Sequence, residues 1–179
     1  MKFIDFCNYL QRLEGISSRN EMTVILSQLI KELERDELKA GIYLLQGQIS
    51  PLFINIEFNF STKLLVRSLI NHKKSLEELN RELLEVGDVG LFLEKNINNE
   101  GQNISLNETF EYLKSIALVS GKNSQSMKMQ LFKELLAKLS TLEAKFCGRI
   151  IIGKLRLGVS DKTILDALSW AVKGDKSLK

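Results

Sequence analysis

Four copies of one short pattern, Ser-x-x-Glu, punctuate this chain and steer it towards helices. They are Ser18/Glu21, Ser75/Glu78, Ser105/Glu108 and Ser140/Glu143. In each, the serine oxygen can accept the backbone N–H three residues on, while the glutamate reaches back to the serine N–H. That satisfies donors which a helix start otherwise leaves orphaned. Apolar residues then recur at helical spacing. "RNEMTVILSQLIKELE" places Met22, Ile25, Leu26, Leu29, Ile30 and Leu33 on one stripe, and the same spacing returns in "LNETFEYLKSIALV", "MKMQLFKELLAKL" and "DKTILDALSWAV". The single proline, Pro51, sits in "QGQISPLFINIEFN". That segment alternates like a strand, but one lone strand has no partner. The pattern predicts an all-α chain of about ten or more helices with short connections, the longest at "EKNINNEGQN".

The 179 residues are 44% apolar and 26% charged, enough to bury a core and too apolar for a disordered tail. No apolar run approaches membrane-spanning length, and "MKFIDFCNYLQRLEG" carries acids that a signal peptide would not. Cys7 and Cys147 lie far apart in sequence, outside any C-x-x-C spacing. They read as packed thiols of a reduced, intracellular protein. His72, the only imidazole, reads as a helix-end residue in water. No nucleophile elbow, Gly-rich nucleotide loop or metal-ligand cluster is present, so neither a catalytic nor a metal site is predicted. Charge is unevenly spread. Residues 120–179 hold twelve Lys/Arg against five Asp/Glu, leaving thirteen against seventeen for the rest. An anionic partner for the C-terminal part follows, with a merely solvated basic face as the alternative.

The chain also repeats itself. "ELKAGIYLLQGQI" laid on "EAKFCGRIIIGKL", 106 positions on, matches Glu37 to Glu143, Lys39 to Lys145 and Gly47 to Gly153. Upstream, Ser18 falls on Ser124, Leu29 on Leu135 and Leu33 on Leu139. Downstream, "STKLLVRSLI" resembles "SDKTILDALS", with Lys63 on Lys162 and Leu69 on Leu168. A duplicated unit, about 15–72 and about 120–172, predicts two similar lobes about an approximate two-fold axis. Helix N-termini near Arg19 and Ser124 would then form one related pair, and those near Ser61 and Ser160 another. Paired N-termini, each with free N–H groups and a positive dipole end, suit the two phosphate strands of a duplex.

Two turns carry candidate anion chemistry. In "VSGKNSQSMK" Gly121 permits close approach, Ser124 and Gln125 offer donors, and Lys122 and Lys128 add charge. The alternative is an ordinary Ser-capped helix. In "GKLRLGVSDK" Arg156 stands between glycines ahead of Ser160, placed to enter a groove or grip a phosphate. The alternative is an Arg156 paired with a nearby acid. "EVGDVGLFLE" reads as a helix junction in which Gly87 ends one helix and Asp88 caps the next.

With "SGKNSQSMK", "EAKFCGRIIIGKLRLGVSD" and "GDVG" in order, and "SSRNEMTVILSQLIKEL", "IYLLQGQISP" and "ILDALSWA" around them, the whole chain resembles the N-terminal DNA-binding domain of ATP-dependent DNA ligases of the archaeal and eukaryotic replicative type. The resemblance implies a single DNA-binding domain, 1–179, of a longer monomeric enzyme. Its expected partners are nicked double-stranded DNA, held through the minor groove, and the parent's adenylation and OB-fold domains. Carried over by position, DNA contacts fall at Arg19, on Gly121, Lys122, Asn123, Ser124 and Gln125, and at Lys128, Arg156 and Gly158. The turn at Ser61-Thr62 and its repeat mate Ser160 are expected as further backbone contacts, and Lys162 as a further DNA-binding residue. ATP and Mg²⁺ would serve the parent, through lysyl-AMP. The K-x-D-G motif that holds the family's reactive lysine is missing here, since "KGDK" at Lys173–Lys176 has the wrong order. The chain alone is therefore expected to be inactive. A cytoplasmic or nucleoid location, or a nuclear one in a eukaryote, goes with that reading. The rival from a different class is a helical protein-interaction scaffold with a basic face.

Overall fold

Each of the four pattern serines opens a helix. In the computed structural model, which describes residues 1–51, 53–70 and 74–177, their hydroxyls accept from the backbone N–H of Glu21, Glu78, Glu108 and Glu143. Ser75/Glu78 and Ser140/Glu143 also close the reciprocal bond. His72 lies outside the described residues.

The described residues form ten helices: α1 (Phe3–Glu14), α2 (Arg19–Glu32), α3 (Leu38–Leu45), α4 (Thr62–Ser68), α5 (Leu76–Val86), α6 (Val89–Asn96), α7 (Leu106–Leu118), α8 (Ser124–Leu136), α9 (Thr141–Ile151) and α10 (Asp161–Lys173). Among them there is no strand. An isolated antiparallel bridge, Lys2 with Ser105, ties the chain start to the α6–α7 connection. The predicted stripe of α2 faces inward, with Met22, Ile25, Leu26, Leu29 and Ile30 buried and Leu33 buried just beyond. The longest connection runs from Gln46 to Ser61, around Pro51, rather than through "EKNINNEGQN". The Asn-rich segment is instead pinned, since Asn99 donates to the Leu136 carbonyl and the Gln102 N–H to that of Lys138.

Helix α9 forms the centre. Nine of its eleven residues are buried, including Glu143, Lys145 and Arg149. It packs on α6 and α1. Two glycines set the closeness of the α6 contact. A Cβ on Gly148 would overlap the Leu93 side chain, and one on Gly90 would stand 2.5 Å from Arg149 Nε.

Elsewhere the packing is crossed. Helix α2 lies on α10, whereas α8 lies on α4. Whereas α3 packs on α7, the first and last helices of each predicted repeat thus pack on those of the other. Gly47 and Gly153, which the repeat aligns, meet there. Both have left-handed φ, and a Cβ on Gly47 would sit 3.9 Å from the Gly153 Cα.

Candidate nucleic-acid interface

Two similar turn-and-helix arrangements follow from that crossing. Asn59 (φ 45°) and Gly158 (φ 66°) turn the chain in the left-handed region, each two residues ahead of an N-cap serine. Ser61 then accepts from the Leu64 N–H at 3.1 Å to start α4, and Ser160 from the Thr163 N–H at 3.3 Å to start α10. Each turn leans on the first turns of the helix crossing it. Met22 of α2 lies against Gly158, and Lys128 of α8 donates its Nζ to the Phe58 carbonyl. In the repeat register Met22 and Lys128 are equivalent positions.

That last contact argues against Lys128 as a phosphate ligand. Lys128 is 5% exposed, and its ammonium is spent on a backbone carbonyl inside the protein. Burial also pulls its pKa below the usual lysine value. The sequence placed a lysine one turn into the helix; only the packing of the 58–60 turn onto α8, with Phe60 and Phe132 rings 5.0 Å apart, shows that it points inward.

The rest of the loop lies outside. Gly121 (φ 83°) and Asn123 (φ 67°) both take left-handed conformations, and Gly121, Lys122, Asn123 and Gln125 are exposed. The cap of α8 is Asn123, not Ser124, and no side chain caps it. Ser124 N–H turns back to the Gly121 carbonyl at 3.2 Å. The next two N–H groups of α8, on the exposed Gln125 and Ser126, are left for solvent or an anion close in sequence to Lys122. At the equivalent start of α2, Ser18 caps the helix and Arg19 is exposed. Among the described residues Arg19, Lys122, Lys154 and Lys162 have no acid partner.

Arg156 combines both readings that the sequence left open. Its backbone is left-handed, φ 56°, in the run from Gly153 (φ 70°) to Gly158. Its side chain is 54% exposed, yet Nη1 lies 3.4 Å from Asp88 Oδ2. Asp88 does cap α6, accepting from the Leu91 N–H at 2.9 Å, and Gly87 does end α5 with φ 68°. The sequence kept this junction apart from the basic turn, but the structure joins them. Thr62, Gly87, Asp88, Lys154 and Arg156 line one recess of about 230 Å³. Lys154, exposed on its rim, was missed by sequence reasoning; its place five residues after the buried Arg149 offered no signal.

Behind the recess runs an ionic network in which Asp88, Lys145 and Arg149 are buried and Glu14 and Glu94 are partly exposed. Arg149 reaches Asp88 Oδ1 through Nε at 3.0 Å and Glu14 Oε1 through Nη1 at 2.9 Å. Lys145 pairs with Glu14 at 2.9 Å and approaches Glu94 at 3.9 Å. For Asp88, burial would raise the carboxyl, but the Leu91 N–H and the guanidiniums of Arg149 and Arg156 outweigh it and hold it below the usual aspartate value. Cys7 and Cys147, fully buried near Glu143, are free thiols whose pKa values burial pushes up. Nothing in this set builds a nucleophile or a metal site, and no group of three metal-ligating side chains occurs among the described residues. None of the described helices is long and apolar enough to cross a membrane.

The chain is thus an all-helical module with exposed cations on turns and at helix N-termini. The family model described as "DNA ligase N terminus" matches residues 2–169, and the chain belongs to that family. A "Probable DNA ligase" of Dictyoglomus thermophilum is 40% identical over the whole of this chain and 31% of its own length. A "DNA ligase" of Sulfurisphaera tokodaii is 35% identical, again over the whole chain and 32% of its own length. A "Probable DNA ligase" of Persephonella marina is 36% identical over 98% of the chain and 31% of its own length. The chain thus spans about a third of the curated relatives it matches.

Proposed function

We propose that this chain is the DNA-binding unit of an ATP-dependent DNA ligase, gripping duplex DNA on both sides of a nick through the minor groove and flanking phosphates. The observation that carries this is the family match across residues 2–169, with relatives named DNA ligase aligned over the whole chain. The geometry supports it. Exposed N–H groups and Lys122 at the start of α8, Arg19 at the start of α2, and Lys154 and Arg156 on one recess offer positive, base-indifferent contacts to phosphate. The crossed packing of α2 on α10 and of α4 on α8 supports two similar contacts, one for each backbone of a duplex. Joining a 3′-hydroxyl to a 5′-phosphate, with ATP and Mg²⁺, falls to adenylation and OB-fold domains outside this chain; this unit presents the nick to them.

The test is fluorescence anisotropy of the chain against nicked duplex, intact duplex and single-stranded DNA at several salt concentrations. Salt-sensitive binding that prefers duplex and ignores sequence is expected. Arg156→Ala should weaken it and lower the slope of log Kd against log salt by about one. Absence of duplex binding at low salt would overturn the proposal and favour a protein-binding scaffold.

A further inference from the structure

The geometry points to Asp88 as a positioning residue that holds Arg156 in the orientation presented to DNA; this rests on the DNA-binding reading above. Asp88 is 6% exposed and cannot wander. Its Oδ1 is fixed from two sides, by the Leu91 N–H at 2.9 Å and Arg149 Nε at 3.0 Å. Oδ2 is left facing the recess, where it meets Arg156 Nη1 at 3.4 Å. Arg149 is itself paired with Glu14, a partly exposed residue, so the carboxylate stands on a chain of partners running back to α1.

The Arg156 side of the contact is equally constrained. The left-handed backbone at φ 56° fixes where the side chain leaves the turn. Only one nitrogen lies near the carboxylate, while Nη2 sits 3.5 Å from the Gly87 carbonyl, at the edge of hydrogen bonding. The remaining N–H groups and one face of the guanidinium stay open, consistent with 54% exposure. A guanidinium carries five donors, so it can lean on Asp88 and still offer two to a phosphate. The charges support a neighbour's role for Arg156. Glu14, Asp88 and Glu94 face Lys145, Arg149 and Arg156, three acids to three bases. The network is balanced only with Arg156 in place. Ordering a long side chain beforehand removes a cost that binding would otherwise bear.

The experiment is a double-mutant cycle on duplex binding by the 179-residue chain, using Asp88→Asn and Arg156→Ala. Asparagine caps a helix as well as aspartate, so α6 keeps its start. Asp88→Asn should weaken binding about three- to tenfold, the equivalent of setting one long side chain free. The salt slope should not change, because no phosphate contact is removed. In the Arg156→Ala background, Asp88→Asn should have no further effect. An equal loss in both backgrounds would mark Asp88 as merely structural and overturn the inference. So would unchanged or tighter binding of Asp88→Asn beside a weakened Arg156→Ala. If the wild-type chain does not bind duplex, or Arg156→Ala binds as well as wild type, the DNA-binding role of Arg156 fails first and takes this inference with it. Should Asp88→Asn not fold, side-chain ¹⁵N relaxation of Arg156 in the wild-type chain decides: a restricted Nε–H bond vector is expected, and one as mobile as that of exposed Arg67 overturns the assignment.

Discussion

Replacing Lys128 with methionine separates two roles that the sequence alone could not. Methionine keeps an unbranched stem of similar length, so packing against the 58–60 turn survives. The ammonium goes, and the Phe58 carbonyl loses its donor. An unpartnered buried acceptor costs about 1–3 kcal/mol. Part of that is returned, because an ammonium at 5% exposure had itself lost much of its hydration. A net loss of about 1–2 kcal/mol is expected, which for a chain of this size lowers Tm by roughly 2–8 °C. Lys128→Gln, which retains a neutral donor, should recover part of it. In parallel, the salt slope of duplex binding should match wild type in both variants, since a buried ammonium releases no counterion from DNA. The assays are thermal unfolding followed by circular dichroism, and anisotropy titrations at several salt concentrations. Unchanged stability together with a slope lowered by about one would refute the argument. It would mean that Lys128 swings out to a phosphate and that the Phe58 contact is dispensable.

Three further outcomes test the frame around the site. Gly148→Ala should destabilise the chain, because overpacking α9 against Leu93 costs roughly 1–3 kcal/mol against about 1 kcal/mol gained in helix propensity; a Tm equal to wild type would show that α6 and α9 can part without penalty. The carboxyl of Glu14 feels burial, which raises it, but bonds from Lys145 and Arg149 hold it below the ordinary range, as partners hold Asp88. Both are depressed in the folded state, so their contribution is full above about pH 4 and lost as pH falls through the lowered values. Urea midpoints should therefore hold from neutrality to about pH 5 and drop steeply below 4; a flat profile down to pH 2 would contradict the ion network. Finally, Cys7 and Cys147 should react with a thiol reagent only as fast as the chain unfolds, being fully buried with raised pKa values; reaction within seconds under native conditions would place them at the surface.

Local chemistry was legible in the sequence wherever a residue acts through its own backbone neighbourhood. The four Ser-x-x-Glu starts, the inward stripe of α2 and the Gly87–Asp88 junction all depend on contacts a few residues away. Side-chain destination was not legible where it depends on another element. Lys122 and Lys128 look alike in sequence, yet one is exposed and the other is buried against a turn seventy positions earlier. Asp88 looked self-contained as a cap, but its second oxygen serves a turn formed by residues nearly as distant. The Asn-rich segment looked like the loosest loop because nothing local orders it. Its order comes from the end of α8 and the residues just beyond, through the carbonyls of Leu136 and Lys138.

The same distinction changes what the charge asymmetry means. Counting cations in residues 120–179 treats Lys128, Lys145 and Arg149 as available to a partner, yet all three are buried and held by a carbonyl or by acids from the N-terminal part. Lys145 and Arg149 pair with Glu14, Asp88 and Glu94, so part of the apparent basic excess is the complement of the acidic first half and joins the two. What residues 120–179 expose is a smaller set, Lys122, Lys133, Lys154, Arg156, Lys162 and Lys173, and the acidic half exposes cations of its own, Arg19 among them. Of these, Arg19, Lys122, Lys154, Arg156 and Lys162 sit at helix starts and on turns, and Lys133 and Lys173 in the last turns of α8 and α10. Substituting buried and exposed cations in equal number should therefore give opposite signatures. The first set changes unfolding with the salt slope intact, and the second changes the salt slope with unfolding intact.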